Sequence, residues 1–278
     1  MTSVLRRSLI AGCLILFAAT VLAQTQTSSQ QETFKPQVGQ AGKDVIWVPT
    51  PQSLVDKMLD MAHVTPQDYL IDLGSGDGRT VITAAKRGAR ALGIEYEPPM
   101  VELSKRNAAE AGVSDRATFA KADIFESDFS QATVISMFLL PSINLKLRPK
   151  ILELAPGTRI VSNSFNMAEW EADETATVGD DCTTWCTALL WIVPAKVEGT
   201  WRLPDGELEL KQEFQMVTGT LKTGGQVLPV TAGRLRGATL SFKAGDLEYT
   251  GRVTPTAIEG TAAALGKTRS WSATRPGR

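Results

Sequence analysis

A glycine-rich turn flanked by acidic residues is the feature of this sequence best suited to hold a ligand. The segment YLIDLGSGDGRT begins at Tyr69, and its glycines are spaced G-x-G-x-G between Gly74 and Gly78. Such a turn lets a ligand approach the backbone closely. The neighbouring carboxylates of Asp72 and Asp77 would repel phosphate but suit an ammonium or sulfonium group. The turn therefore predicts a site for a cationic ligand.

The spacing of these glycines argues against a phosphate-binding loop. The dinucleotide fingerprint G-x-G-x-x-G would need its third glycine at the position of Arg79. A Walker loop would need the sequence G-K-[ST], which is missing here. A pyrophosphate at the start of the following helix is therefore not favoured.

Two further acidic residues follow the next two predicted strands. Glu95 ends one strand, where a carboxylate can accept both hydroxyls of a ribose. Asp123 follows the next strand and could accept from an adenine amino group, with Ile124 and Phe125 flanking the ring. One such acid alone is more often a surface charge or a helix cap. Together with Asp72, however, these acids at successive strand ends predict a nucleoside site.

The elements that would position these residues alternate between strands and helices over residues 45–195. Predicted strands cover 69–73, 91–95, 117–120, 133–139, 159–164 and 186–193, and predicted helices cover 51–63, 79–87, 99–111 and 145–154. Pro51 suits the first helical position, so Thr50 directly before it can cap the first helix. This alternation predicts an α/β domain with a parallel, doubly wound sheet.

The pattern changes after Ala195. Apolar and polar residues alternate with period two across residues 196–278, separated by turn signals such as Gly224–Gly225. Leu208, Leu210, Phe214 and Met216 would then share one face. We expect a separate small all-β domain, an antiparallel meander of five to seven strands.

The first 23 residues have the parts of a secretory signal. Arg6 and Arg7 precede an apolar run, and Val21–Ala23 is a small-residue cleavage site. This pattern predicts export to the periplasm, either with cleavage after residue 23 or with an uncleaved N-terminal anchor. Residues 24–44 are polar and predict a flexible linker.

Cysteine, histidine and charge counts limit the possible partners. One histidine, His63, and three cysteines exclude His-rich and Cys₄ metal sites. Cleavage would leave Cys182 and Cys186, which can form a disulfide if CTTWC closes in a turn and otherwise remain two thiols. Since 29 basic residues face 30 acidic ones, the charge gives no case for nucleic acid as a partner.

The motifs DLGSGDG, GIEYE and ADIF resemble those of class I S-adenosylmethionine-dependent methyltransferases. The resemblance implies a Rossmann-like seven-stranded sheet, with the methionine moiety at 72–78, the ribose on Glu95 and the adenine near Asp123. The residues expected at the cofactor are Trp47, Thr50, Asp72, Gly74, Ser75, Gly76, Asp77, Gly78, Glu95, Tyr96, Asp123, Ile124 and Phe125. S-adenosylmethionine is thus the implied cofactor.

A narrower resemblance covers residues 46–172. The segments WVPTPQSLVDKML, GSGDGR and FLLPSINLKLRP are similar to protein-lysine methyltransferases that act on the ATP synthase c subunit and the adenine nucleotide carrier. The resemblance implies a protein acceptor, which in that family is membrane-associated. Methyl transfer from a sulfonium is a direct in-line displacement, for which the protein need not supply a nucleophile or a metal, and we expect no dedicated base.

The acceptor side departs from the pattern of amine-methylating DNA enzymes. Those enzymes carry [DNS]-P-P-[YF] where this chain has FLLP, which speaks against a nucleobase acceptor. Phe138 and Pro141 are candidates for an acceptor channel, although Phe138 would equally suit the core. An exported protein that binds an adenosyl ligand without catalysis, with the β domain binding a partner or ligand, remains the alternative.

Overall fold

The computed structural model describes residues 34–179 and 182–276. The predicted signal peptide and residues 24–33 of the predicted linker lie outside the described residues. None of the helices within the described ranges has the length and apolar character needed to cross a membrane.

The first part of the chain forms a seven-stranded sheet with helices on both faces. In chain order its elements are α1 (Gln52–Met61), β1 (Tyr69–Leu73), α2 (Arg79–Lys86), β2 (Arg90–Glu95), α3 (Pro98–Glu110), β3 (Ala117–Lys121), β4 (Val134–Met137), α4 (Pro141–Ile151), β5 (Arg159–Asn163), β6 (Glu174–Thr177) and β7 (Thr187–Ile192). The strand order is β3-β2-β1-β4-β5-β7-β6, in which β7 runs antiparallel to its neighbours. The predicted α/β fold is confirmed.

Burial on both faces explains why the central strands are apolar runs. Leu70 on β1 packs into a core with α1, α2 and α3, whereas Ile71 faces a second core with α4. Successive side chains of a strand point to opposite faces, so each of these positions must be apolar. The sheet is therefore packed between two helical layers, and a binding site can form at its carboxyl edge.

Three details of these elements differ from the prediction. Thr50 does not cap α1, which begins at Gln52 without a side-chain cap; the buried Thr50 Oγ1 instead accepts from Asn163 Nδ2 at 3.3 Å. Helix α4 begins at Pro141, four residues earlier than predicted, since proline suits the first helical turn. The short strand β6 was missed because its sequence, ETAT, has almost no apolar signal.

The second part of the chain is a closed antiparallel barrel. Its strands are β8 (Gly199–Leu203), β9 (Gly206–Glu213), β10 (Met216–Thr223), β11 (Gln226–Arg236), β12 (Thr239–Ala244), β13 (Leu247–Val253), β14 (Ala257–Ala264) and β15 (Lys267–Thr274). Consecutive strands pair as hairpins, and β15 closes on β8 through Thr274 and Arg202. The predicted all-β domain is confirmed, but it has eight strands rather than five to seven. Very short turns made the strand count ambiguous in the sequence.

The barrel is docked against the sheet domain by a turn at residues 214–215. Leu208 and Leu210 point into the barrel as expected, but Phe214 does not, because it occupies the β9–β10 turn with a φ of 51°. Its ring stacks on Trp170 of the sheet domain, with centroids 6.1 Å apart. The prediction for Met216 is likewise wrong, since this residue is 48% exposed.

Part of the predicted flexible linker makes a defined turn. The N-terminal strap, residues 37–47, is held where Trp47 N–H donates to Gln40 O and Gly39 N–H donates to Trp47 O, both at 2.9 Å. The polar composition of residues 24–44 predicted a flexible linker. The turn was not predicted because its hydrogen bonds join backbone atoms, which the side-chain composition does not reveal.

Candidate active site

The predicted site residues line a cavity of about 570 Å³ at the carboxyl edge of the sheet. The strap covers one side of it. The structure brings together in its lining Trp47, Thr50, Asp72, Gly74, Ser75, Gly76, Asp77, Glu95, Tyr96, Asp123, Ile124 and Phe138. A cavity of this size suits a ligand as large as a nucleoside derivative.

Three predicted site residues lie outside the lining. Gly78 serves packing, because a Cβ there would stand 2.7 Å from the Phe119 ring. Phe125 packs against the second core instead, and Lys146 Nζ lies 3.6 Å from its ring centroid. Pro141 begins α4 and does not line the cavity.

The glycine-rich turn needs glycine for conformation and for close approach. Gly74, Gly76 and Gly78 have φ values of 78°, 54° and 83°, a region that favours glycine. A Cβ on Gly76 would stand 2.8 Å from Trp47 Nε1 of the strap. The turn therefore lies directly beneath the strap, with room only for the bare backbone.

Glu95 is held in place by two backbone donors. Gly76 N–H donates to its Oε2 and Glu97 N–H donates to its Oε1, both at 2.9 Å. Each carboxylate oxygen keeps further lone-pair capacity. The carboxylate is thus oriented towards the cavity and can still accept two hydroxyl groups.

Asp123 has a cationic partner that no sequence motif suggested. Lys43 Nζ of the strap donates to Asp123 Oδ2 at 2.5 Å, and Phe125 N–H donates to Oδ1 at 2.9 Å. The hydrogen bond from Lys43, followed by that from Phe125, lowers the pKa of Asp123. Lys43 also lies 4.5 Å from the centroid of the Tyr96 ring. The strap therefore closes on the predicted adenine end.

Asp72 is the buried acid of the site. Burial raises the pKa of Asp72 to about 7, and repulsion by Glu95 and Asp77 adds to this, while a hydrogen bond from Ser136 opposes it. Ser136 Oγ donates to Asp72 Oδ1 at 2.7 Å. Asp77, in contrast, already pairs with Arg79 at 2.6 Å. Among the described residues, Asp72 is therefore the acid of the turn that has no cationic partner.

The Ser75 hydroxyl is buried and has no hydrogen-bond partner among the described residues. It packs against Gly93, where an added Cβ would stand 2.5 Å from Ser75 Oγ, so it lies behind the turn and does not face the cavity. The oriented Glu95 and the acid Asp72, which both line the cavity, are the residues that suit an adenosyl amino acid.

The opposite end of the cavity is aromatic. Phe138 lines it as expected, together with Phe165 and Trp185, which no sequence motif marks. The three rings touch, with centroids 5.8 Å to 6.4 Å apart. The structure joins Cys182 and Cys186 as a disulfide around Trp185. Phe165 and Trp185 were missed because they come from separate loops.

Comparisons with known proteins agree with this geometry. Residues 72–174 match the ANTKMT methyltransferase domain. A protein-lysine N-methyltransferase of Saccharolobus islandicus is 43% identical over 139 residues, which are 49% of this chain and 86% of that protein. The Mus musculus lysine N-methyltransferase of the ATP synthase c subunit is 39% identical, over 42% of this chain and 47% of that protein. The chain thus spans about half the length of the mouse relative.

A solved structure covers a similar share of the chain. An RNA methyltransferase from Salinibacter ruber, in complex with S-adenosyl-L-homocysteine, is 47% identical with a TM-score of 0.51, covering 54% of this chain and 96% of that one. The fold and the site define an S-adenosylmethionine-dependent methyltransferase. Within that class, the chain belongs to the family of the ANTKMT methyltransferase domain.

Proposed function

We propose that this methyltransferase methylates the side-chain amine of a lysine in a protein. The observation that carries the proposal is one cavity with two unlike ends. Glu95 and Asp123 form a polar end suited to adenosine, and Phe138 and Trp185 form an aromatic end suited to an alkyl amine. The names of the archaeal and mouse relatives support lysine as the acceptor.

The polar end would hold the cofactor through residues already oriented for it. Glu95 would accept the ribose hydroxyls, Asp72 would face the cationic methionine moiety, and Asp123 would lie at the adenine. S-adenosylmethionine supplies a methyl group on a positively charged sulfur. The protein must align the methyl group with the acceptor and exclude water from the reacting atoms. The strap, which lies above the glycine-rich turn, would exclude water from that side.

The acceptor amine must lose a proton before it can attack, because its unperturbed pKa is about 10.4. Apolar surroundings and the nearby positive sulfur both lower the pKa of an amine. Leu139, Leu140 and Ile143 supply apolar surroundings in the cavity, without a ring face that would favour the cationic form. His63 is exposed beyond α1 and does not line the cavity. Deprotonation would therefore depend on desolvation rather than on a histidine base.

Radiolabel transfer tests the proposal. The purified protein is incubated with methyl-labelled S-adenosylmethionine and with soluble, membrane and RNA fractions, and the label is identified after hydrolysis. We expect methyllysine, from the membrane protein fraction first because the mouse relative is named for a subunit of ATP synthase. Glu95→Gln should lose labelling, whereas Glu102→Gln, on the exposed face of α3, should not.

Each other result has a distinct meaning. If ribonuclease releases the label, the methyl acceptor is RNA and not a protein lysine. RNA is the substrate class for which the Salinibacter protein is named. Cofactor binding without transfer to any fraction would favour the adenosyl-binding alternative. No heat of binding in a titration with S-adenosyl-L-homocysteine would contradict the cofactor itself.

We also propose that the chain is exported to the periplasm. The charged, apolar and small-residue pattern of residues 1–23 supports this, as does the Cys182–Cys186 pair, since disulfides persist in oxidising compartments. Cell fractionation followed by N-terminal sequencing tests it, with Gln24 expected first. Cytosolic protein that retains Met1 would contradict export.

A further inference from the structure

We propose that Trp185, presented by the loop that the Cys182–Cys186 disulfide closes, forms with Phe138 and Phe165 an opening that selects a cationic alkylammonium side chain. This inference rests on the proposed function, since it defines the acceptor side of the same cavity. The cluster of these three rings is called the aromatic opening below.

The sheet topology brings the three rings to one place. Phe138 directly follows β4, and Phe165 lies two residues after β5. Trp185 lies two residues before β7, which is antiparallel to β5 and therefore starts where β5 ends. Since β4, β5 and β7 are neighbours, their loops meet at the carboxyl edge of the sheet.

The aromatic opening lies on the other side of β1 from the nucleoside end. Glu95 ends β2 and Asp123 follows β3, and both strands lie beyond β1 in the strand order. A cofactor with its adenosine at β2 and β3 therefore directs its methionine end towards β1 and β4. The aromatic opening is where an acceptor would reach that end.

Trp185 leaves part of its surface exposed beside the two phenylalanine rings. Phe138 and Phe165 stack with centroids 5.8 Å apart, and Trp185 meets Phe138 edge-on at the same distance. Trp185 is 40% exposed. In the described part of the chain, lysine and arginine side chains lie over other rings but not over these three. A cation over the face of an aromatic ring is attracted by the negative charge of that face.

The disulfide positions Trp185. The backbone at Trp185 has a φ of 57°, a left-handed conformation that is unfavourable for a bulky residue. The loop is closed by Cys182 and Cys186, whose α-carbons lie 5.7 Å apart, and Val178 N–H donates to Cys186 O at 3.0 Å. Without the bridge the loop would relax to a more favourable conformation. The cysteines therefore influence acceptor selection by positioning Trp185.

A pair of peptides tests the selectivity. One carries a single Nε-trimethyllysine and the other its neutral tert-butyl isostere, and each is titrated calorimetrically into the oxidised protein with S-adenosyl-L-homocysteine present. We expect the cationic peptide to bind at least tenfold more tightly. Trp185→Ala should remove this preference, and Trp185→Phe should restore most of it. Leu265→Ala, at a fully exposed barrel position, is the matched control.

The disulfide is tested by the same affinity ratio. Cys182→Ser with Cys186→Ser, or reduction of the wild-type protein with dithiothreitol, should lower the ratio several-fold while affinity for S-adenosyl-L-homocysteine stays within about twofold. Reductant should have no effect on the doubly substituted protein.

Three results would overturn the inference. These are equal or undetectable binding of the two peptides, a preference that survives in Trp185→Ala, and a ratio that is the same with and without the disulfide. Failure of the protein to bind S-adenosyl-L-homocysteine would instead count against the proposed function, because that affinity is measured separately.

Discussion

Asp72 lies beneath the glycine-rich turn, where its carboxyl group has lost most of its contact with water. Burial raises its pKa to about 7, from 3.8 for the unperturbed group. The folded protein therefore keeps a proton that the unfolded chain releases between about pH 4 and pH 7. Because the folded state binds more protons between about pH 4 and pH 7, the free energy of unfolding falls as the pH rises over this range. Above pH 7 the loss of stability caused by Asp72 is complete.

Asp72→Asn should therefore stabilise the protein without ligand at pH 8 and should have a smaller effect at pH 5. The amide removes the buried charge and can keep the hydrogen bond from Ser136 Oγ. Thermal unfolding of both proteins from pH 4.5 to pH 8.5 measures the difference in melting temperature. A difference that is constant with pH would contradict the raised pKa.

The same substitution should weaken cofactor binding. A cationic methionine moiety stabilises the ionised carboxylate, so binding near neutral pH should release a proton from Asp72. A hydrogen bond to a charged group contributes about 1.5–3 kcal/mol, which corresponds to roughly tenfold to a hundredfold in affinity. Titrations in buffers of different ionisation enthalpy should detect proton release in the wild type and less in Asp72→Asn. Equal proton release would argue against this contact.

Substitution of Gly76 should also affect cofactor binding, because this residue contacts Trp47 of the strap. Gly76→Ala should lower cofactor affinity at least tenfold, because the new Cβ meets Trp47 Nε1 at 2.8 Å and the residue must keep a φ of 54°. Adding Trp47→Ala should relieve the contact but not the backbone strain of about 1–2 kcal/mol. A double-mutant cycle by calorimetry measures the coupling. Strict additivity would show that the strap does not rest on the turn.

Single residues were predictable from the sequence where local position determines their role. The acids Asp72, Glu95 and Asp123 stand at strand ends, and strand ends can be read from apolar runs. Lys43, Phe165 and Trp185 could not be found in this way, because each gains its role from a partner far away in the chain. Gly78 was assigned to the ligand since its contact with Phe119 is equally remote.

At the scale of elements, the segment between β5 and β6 connects the aromatic opening to the barrel. It carries Phe165 at its start and Trp170 further on. Trp170 is fully buried, its carbonyl accepts from Trp191 Nε1 at 2.7 Å, and its ring stacks on Phe214. The barrel thus supports the loop that lines the cavity.

Phe214→Ala should destabilise this support. Loss of the half-buried ring should cost about 2–4 kcal/mol in unfolding free energy, at or below the usual range for phenylalanine in a core. Affinity for the trimethyllysine peptide should fall, and affinity for S-adenosyl-L-homocysteine should change little. Met216→Ala, exposed at the start of β10, is the control. Denaturant unfolding and the two titrations provide the measurements, and an unchanged peptide affinity would show that the support is not transmitted to Phe165.

Elements were predictable where they have strong periodicity. Strands β1 to β5 are apolar runs buried on both faces, and the barrel strands alternate with period two. Strand β6 is short and half-exposed, so pairing with β7 decides its conformation rather than its own residues. Phe214 fits the alternation of its strand by sequence, but the tight turn at this position rotates it towards Trp170.

On the scale of the whole molecule, the barrel and the sheet domain share a bonded interface. Among the described residues, three ion pairs cross it: Arg234–Asp173, Arg236–Glu174 and Lys196–Glu153. Gln215 Nε2 also donates to Glu171 O at 2.9 Å, and Ala195 N–H donates to Gly237 O at 2.9 Å. The side chain of Asp173 is fully buried, so its pair with Arg234 is the one whose loss would leave an unpaired buried charge.

This interface predicts that both domains unfold in one transition. Saturating S-adenosyl-L-homocysteine at 100 times its dissociation constant adds about 2.7 kcal/mol of stability, and coupling should extend that shift to the barrel. Arg234→Glu with Phe214→Ala should separate two calorimetric transitions, of which only the one from the sheet domain responds to the ligand. Arg269→Glu, at an exposed position of β15, should leave a single transition. Two transitions in the wild type, with a barrel insensitive to ligand, would show that the interface does not couple the domains energetically.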